Sequence, residues 1–323
     1  MDKLISIAVA AYNVEKYIDI LLKSLTDTKS INHMDIMVID DGGSDNTMSI
    51  ASKYAEDYPE SIRLIHTENG GHGNVINTGI KNAVGEYFKV IDGDDHVDPD
   101  GLDELLNLIS KYKPDIFLNP YIVFDDVSGE KISEEDSCAN VTHDMVLSVK
   151  DYHSDLFPQM HSLTVKTKLL RDNDVSITRH MFYVDVEYAF KASINADTVY
   201  AGNRSVYCYR VGRSGQSVSP EQLKKNFKHH EHLAYTLLEE TGKTDKGSIK
   251  REWAVEIAAP YIYKQYMICA WQKRISEGRR FSKIVRTEYP EIYDRIVRKK
   301  LILLEKTGFL ISFFWKIIDH EPV

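Results

Sequence analysis

Cysteine is scarce in this 323-residue chain: Cys138, Cys208 and Cys269 form no Cys-x-x-Cys pair and leave an odd count. A disulfide framework and a thiolate zinc site are therefore unsupported, and the thiols suit a reducing cytoplasm. An excess of basic charge is also missing. Lys and Arg number 40 against 49 Asp and Glu, a net charge of −9, which excludes nucleic acid as a whole-surface partner. No uninterrupted apolar run reaches the roughly 20 residues of a spanning helix. The longest, Leu301 to Ile318, is broken by Glu305, Lys306, Gly308 and Lys316. Leu4 to Ala11 is too short, and too soon followed by Tyr12-Asn13, for a signal-peptide core; it reads as a buried strand. No Gly-x-Gly-x-x-Gly follows that run, so a dinucleotide-binding oxidoreductase is excluded, and no internal repeat recurs at a fixed period. What is present, 43% hydrophobic and 28% charged residues, is the mix of a globular protein with one large domain or two ordinary ones.

Residues 1 to about 125 alternate short apolar runs with amphipathic segments. Strands are expected at Leu4–Ala11, Asp35–Ile39, Ile62–His66 and Tyr87–Ile91, and helices at Val14–Leu25, Thr47–Tyr58, Asn74–Val84 and Gly101–Tyr112. In the first helix Tyr17, Ile18, Leu21, Leu22 and Leu25 recur at helical spacing and form one apolar stripe. This βαβα order predicts a mainly parallel sheet covered by helices, with ligands bound beyond the carboxyl ends of its strands. From 126 to 180 the pattern weakens, and the acidic stretch Asp125, Asp126, Glu130, Glu134, Glu135, Asp136 reads as a solvated loop. A helical pattern follows Tyr183, then a strand-like Ser205–Arg210, a Gly/Ser-rich loop from Gly212 to Ser219, and a helical remainder beyond Pro220.

Three polar clusters fall where strands should end. The first is Asp40-Asp41-Gly42-Gly43-Ser44-Asp45, whose carboxylates can accept hydrogen bonds from a base or ribose, or can equally form a helix-capping turn. The second, Asn69-Gly70-Gly71-His72-Gly73 with Asn77 and Gly79 behind it, can present backbone amides to phosphate or be a plain connector. The third is Asp92-Gly93-Asp94-Asp95. Three carboxylates in four residues repel one another without a cation, and such oxygen ligands suit magnesium or manganese shared with a substrate's phosphates; a capping acidic turn is the alternative.

Together the clusters carry a family resemblance. Ser6-Ile7-Ala8-Val9-Ala10-Ala11-Tyr12-Asn13, the segment Asp40 to Thr47, Asn69 to Tyr87 and Ile91 to Asp95 resemble the family 2 inverting glycosyltransferases. The resemblance covers residues 4–125 and, less strongly, 180–220. It implies an α/β fold of the nucleotide-diphospho-sugar transferase (GT-A) type: a mixed, Rossmann-like sheet covered by helices over residues 1–220, with the donor part at 1–125 and the acceptor and base part at 126–220. A helical region at 221–323 would follow. The matching segments put Ala11, Tyr12 and Asn13 against the nucleobase and Asp40 and Asp41 at base and ribose, with Gly71, His72 and Asn77 beside the donor. Asp92, Gly93 and Asp94 would hold the diphosphate through a divalent metal, Mn2+ or Mg2+, with Asp94 and Asp92 as ligands and Asp95 behind them or on the sugar. Asp185 takes the position of the catalytic base, with Glu187 in reserve. Arg210, Arg213 and Ser217 match a segment that approaches the pyrophosphate as a lid. Two departures stand out: the usual proline before Tyr-Asn is Ala10 or Ala11, and an arginine common before the motif's Asn is Ile76. Val184 replaces a customary glutamate beside the base.

The resemblance implies transfer of a sugar from a nucleotide sugar, UDP-linked by preference, to a growing surface glycan or lipid-linked oligosaccharide. A non-catalytic nucleotide-sugar-binding or scaffolding subunit is the rival, whereas a pyrophosphorylase would need a Gly-rich basic loop after the first strand that Ala10 to Val14 do not supply. His229, His230 and His232 lack a carboxylate partner at defined spacing and read as ordinary helix residues, although one histidine from this region could complete the metal's coordination. From Lys250 onward 15 Lys and Arg face 9 Asp and Glu, a balance of +6, which leaves −15 for residues 1–249. Arg295, Arg298, Lys299 and Lys300 with Leu301–Leu304 and Phe309–Trp315 suit peripheral contact with the inner face of an anionic bilayer; core packing or pairing with a second copy is the plainer expectation.

Overall fold

The computed structural model describes residues 2–151, 158–212, 222 and 225–310. The chain divides into two compact units, Met1–Ser214 and Gly215–Val323. In the first, four strands alternate with four helices: β1 (Ile5–Ala10), α1 (Ile18–Thr26), β2 (Met34–Asp40), α2 (Thr47–Asp57), β3 (Ile62–His66), α3 (His72–Asn82), β4 (Tyr87–Asp92), and, after the short β5 (His96–Val97), α4 (Pro99–Lys111). Each expected strand and helix is present within a few residues of its expected ends. Strands β1 and β2 read as nearly continuous Ile/Val/Ala/Met runs, and β4 adds Tyr87 and Phe88, because both faces are covered; β2 is buried along its whole length. Ile18, Leu21, Leu22 and Leu25 of α1 are fully buried against this sheet.

Beyond residue 111 the chain adds β6 (Ile116–Leu118), β7 (Tyr121–Asp125), β8 (Lys131–Glu135), β9 (Met145–Ser148), β10 (Leu163–Lys166), α5 (Thr167–Asp172), α6 (Val184–Ser193), β11 (Thr198–Ala201) and β12 (Tyr207–Val211). The large sheet runs β3-β2-β1-β4-β10-β6-β11-β9, and a small one runs β5-β12-β7-β8. The first four strands of the large sheet are parallel, while β10 enters antiparallel between β4 and β6, so the sheet is mixed. Strand β1 lies between β2 and β4, the topological switch point, and Ala10 pairs with Ile39 on one side and Asp92 on the other. The acidic stretch expected as a solvated loop is instead partly a hairpin, because β7 pairs with β12 and carries β8 with it; Glu134 of β8 accepts a bond from the Ser205 hydroxyl.

The second unit is helical over its described residues: α7 (Phe227–Lys243), α8 (Ile249–Trp271), α9 (Ile275–Glu288), α10 (Pro290–Ile296) and α11 (Lys299–Lys306). Leu301, Leu304 and Phe309 are buried in it, and Phe309 stacks on Tyr266 with centroids 6.2 Å apart. Arg295 pairs with Glu256, and Arg298 lies over the Tyr263 ring. Thus part of the apolar tail packs as core; the segment from 311 onward, which carries Trp315, lies outside the described residues. His230 is buried and its Nδ1 lies 2.7 Å from Gln265 Oε1, and burial lowers its pKa to about 4, as befits a neutral core histidine. No described helix is long and apolar enough to cross a membrane.

Candidate active site

The carboxyl ends of β2, β1 and β4 gather the three polar clusters, but the structure uses them differently. Asp41 is 2% exposed, and its carboxylate accepts bonds from Gly70 N (3.0 Å), Gly71 N (2.7 Å) and Asn74 Nδ2 (2.9 Å). The glycine amides that could have faced a phosphate are therefore taken by a carboxylate of the protein itself. Asp40 likewise accepts from Gly43 N at 2.7 Å and lies 2.6 Å from His66 Nδ1. Asn13, held in the left-handed region at φ 53°, accepts from Ser44 N at 2.8 Å, and Tyr12 is half exposed; Ala11, expected against the nucleobase, is fully buried and its N–H donates to Ile39 O, so it can only shape the site from behind.

The glycine loop carries a second constraint. A Cβ on Gly73 would lie 2.0 Å from Thr178 O, and Gly71, at φ +77°, packs against the His180 backbone. His180 N donates to Gly70 O, and Asn77 bonds both the N–H and the C=O of Ile177, at 2.8 and 2.7 Å. Residues 177–180 are thus clamped onto the loop at the start of α3. His180 and Tyr183 both adopt positive φ, 56° and 65°, as the chain turns into α6. Asp185 enters the site on the first turn of this helix. Glu187, two residues on in the same turn, is 2% exposed, accepts from Thr178 N and Oγ1, and pairs with Lys191 at 2.7 Å. Its carboxylate anchors the clamp. Val184 is buried and contributes packing in place of a second acid.

His72 joins the donor-side and base-side acids. Its Nε2 lies 3.1 Å from Asp92 Oδ1. Burial pulls the ring toward neutrality, but Asp92, Asp185 and Asp41 outweigh it and hold its pKa above the ordinary imidazole value. Asp185 is pushed up from the usual carboxylate range by burial, with His72 opposing and Asp92 adding to the shift. Asp95, 1% exposed, is pushed well above that range by burial and by Asp92, despite bonds from the Tyr207 hydroxyl (2.5 Å) and Arg210 N (2.7 Å).

Arg210, expected at the pyrophosphate, has its guanidinium committed within the protein. It is 7% exposed, lies 4.7 Å from both the Tyr17 and Phe124 ring centroids, donates from Nε to Asp94 O at 2.6 Å and pairs with Asp126 at 3.0 Å. The role this geometry gives it is to fix the turn carrying Asp94 and Asp95. Gly93 fits because a Cβ there would meet Ala10 O at 2.5 Å. Arg213 and Ser217 lie outside the described residues. Ile76, where an arginine is common, is fully buried and cannot reach a ligand.

Two residues were not foreseen from the sequence. The ligand atoms of Asp92, Asp95 and His161 all lie within 4.8 Å of one another, the single grouping of its kind among the described residues. His161 sits just before β10, packed between Tyr121, Tyr207 and Tyr209 at centroid distances of 5.1, 4.8 and 4.3 Å. Its Nδ1 is buried with no hydrogen-bond partner among the described residues, and burial lowers its pKa to about 4. A neutral imidazole with an unused nitrogen, beside two carboxylates, is chemically suited to a divalent cation. Lys89 of β4 is fully buried beneath it, and burial lowers its pKa to about 7. Neither carried a motif; a lone histidine in a weakly patterned stretch and a lysine inside a strand give no sequence signal.

Residues 6–177, more than half of the chain, match the family model described as Glycosyl transferase family 2. The chain belongs to that family. Among curated relatives, this family 2 chain is similar to the poly(ribitol-phosphate) beta-N-acetylglucosaminyltransferase TarS of Staphylococcus aureus, 26% identical over 216 residues, 66% of this chain and 36% of TarS. It is also similar to the putative glycosyltransferase EpsH of Bacillus subtilis, 34% identical over 122 residues, 38% of this chain and 35% of EpsH. The family 2 chain thus spans about a third of the length of these curated relatives. Among solved structures, TarS 1–349 in complex with UDP-GlcNAc matches with a TM-score of 0.70 at 19% identity, covering 96% of this chain and 89% of that one. The mannosyltransferase PcManGT of Pyrobaculum calidifontis, in complex with GDP-Man and Mn2+, matches with a TM-score of 0.56 at 12% identity, covering 99% and 89%. At these identities the likeness shows the fold, and the family 2 chain has the mixed sheet with flanking helices of the GT-A type.

Proposed function

We propose that the protein is an inverting glycosyltransferase that moves a sugar from a nucleotide sugar, UDP-linked by preference, to a hydroxyl of a growing glycan. The observation that carries this reading is the convergence of Asp185 and Asp92, 93 positions apart in sequence, on His72 at the start of α3, with all three close enough to shift one another's ionisation. Family membership supports the reaction class, and UDP-GlcNAc in the structurally similar TarS supports a UDP-hexosamine donor.

In this reading Tyr12 offers its exposed ring to the base, and Asp40 and Asp41 hold the surrounding loops in shape for it. Asp92 and Asp94 would hold a divalent cation, Mn2+ or Mg2+, with Asp95, whose carboxylate is grouped with that of Asp92, as a third oxygen ligand; the ion would supply charge compensation for the departing nucleoside diphosphate. Asp185 accepts the proton of the acceptor hydroxyl as that oxygen attacks the anomeric carbon. Its raised pKa brings it closer to the range in which a carboxylate is an effective base. One displacement inverts the configuration and requires no covalent enzyme intermediate. His72, biased toward its cationic form, holds Asp92 and favours the ionised form of Asp185.

Incubating the full chain with a panel of UDP-, GDP- and dTDP-sugars, Mn2+ and a glycan acceptor should give transfer with UDP-sugars, abolished by EDTA. Nucleotide-sugar binding without turnover across the panel would establish the rival, a binding or scaffolding subunit. Undiminished transfer in chelator would remove the cation from the mechanism.

A further inference from the structure

We propose that His161 is a direct nitrogen ligand of the cation at this site, and that the shell built from Asp92, Asp95 and His161 favours Mn2+ over Mg2+. The inference rests on the donor-site reading above and goes beyond it. An Asp-x-Asp pair offers only oxygen, which serves both ions alike, whereas an imidazole nitrogen suits the softer transition ion and is a poor ligand for magnesium.

Three observations converge on His161. Its ligand atom lies within 4.8 Å of those of Asp92 and Asp95, so one small ion can reach all three. Its Nδ1 is buried and lacks a hydrogen-bond partner among the described residues, a costly arrangement unless something binds the ring. The residue is also held from outside the cluster. Lys89, fully buried on β4, donates from Nζ to His161 O at 2.9 Å and to Leu163 O at 3.2 Å, which fixes the start of β10. Tyr207 ties the three groups together: its hydroxyl donates to Asp95 Oδ2 at 2.5 Å and accepts from Asp92 N at 3.1 Å, while its ring meets His161 edge-on. A metal-binding histidine is ordinarily oriented by such outer contacts, and their loss costs roughly 10- to 100-fold in affinity. Lys89 is accordingly a positioning residue, acting on the ion through the His161 backbone.

The test is electron spin-echo envelope modulation of Mn2+ bound to the full chain, with and without UDP, beside Mn2+ and Mg2+ titrations. Directly bound imidazole gives a 14N modulation. We expect that signal in the wild type, its loss in His161→Gln, and a fall in Mn2+ affinity of about 10- to 100-fold with Mg2+ affinity changed much less. His72 also lies near Asp92, so His72→Gln is the second variant, and there the signal should persist even if His161→Gln fails to fold. Lys89→Met should narrow the Mn2+/Mg2+ preference in the same direction by a smaller factor, a change that mere loss of stability would not produce. Mn2+ bound without nitrogen modulation, or a signal abolished by His72→Gln alone, would overturn the assignment and leave the glycosyltransferase reading standing. A nitrogen-ligated ion in a protein that transfers no sugar would overturn that reading and leave the site.

Discussion

Two groups of aspartates lie at or near neighbouring strand ends in the first unit, the second joined by Asp185 from the start of α6, and they are treated in opposite ways. Asp40 and Asp41 are surrounded by donors: the amides of Gly43, Gly70 and Gly71, the Asn74 amide and His66. Asp92, Asp95 and Asp185 face one another closely enough that Asp92 raises the pKa of both the others, while His72, 3.1 Å from Asp92, opposes the shift at Asp185. The same residue type shapes backbone in one place and concentrates negative charge in the other. Donor supply separates the roles: a carboxylate satisfied by backbone amides is architecture, and one left beside its own kind is poised for a cation or a proton.

The comparison can be broken most severely at Asp185. Asp185→Asn should lower transfer by roughly 10²- to 10⁴-fold while UDP-sugar affinity and melting temperature are kept, because asparagine keeps the shape of the side chain and an oxygen that can accept from the Val186 amide. Near wild-type transfer would place Asp185 with the architectural group. Asp41→Ala should do the reverse, lowering stability of the first unit by about 3 kcal/mol in a urea titration, since two glycine amides and the Asn74 amide lose their acceptor. An unchanged midpoint would mean that the loop does not depend on this carboxylate.

A smaller effect is expected at the clamp between the two groups. Gly73→Ala puts a methyl 2.0 Å from Thr178 O, so the backbone must yield, at about 1–3 kcal/mol. Because Thr178 leads toward Asp185, turnover should fall more than donor affinity; equal losses in kcat/KM and donor binding would argue against that coupling. The mildest effect belongs to the helical unit. His230 has a folded pKa near 4, below the roughly 6.5 of a free imidazole, so the unfolded chain binds the extra proton first. Its stabilising contribution is full above pH 6.5 and is lost as pH falls toward 4, about 1 kcal/mol between pH 8 and pH 6. Melting curves of His230→Gln should lack that part of the acid decline; parallel curves would show that another group titrates.

Legibility followed the range of the interaction. The alternation of β1 through α4 was readable because burial of both faces of a parallel sheet writes continuous apolar runs, and each helix buries a stripe of its own. The acidic segment around Glu134 was misread as loop, since its strand exists only by pairing through β7 with β12, some 75 residues onward. Arg210 shows the same limit. Its sequence neighbours suggested a phosphate ligand, and only the packing of Tyr17, Phe124 and Asp126 around it reveals a guanidinium already engaged.

By itself the sequence determined the family, the parallel half of the sheet and the positions of its acidic turns, because these depend on local periodicity and on motifs of a few adjacent residues. The tertiary structure alone decided which aspartates are satisfied and which are crowded, that Glu187 anchors a clamp, and that His161 and Lys89 stand beneath the Asp92 turn. Those outcomes depend on which donors and charges arrive from distant strands, and a hydrogen bond or a Coulomb interaction is set by separation in space, which no spacing along the chain encodes.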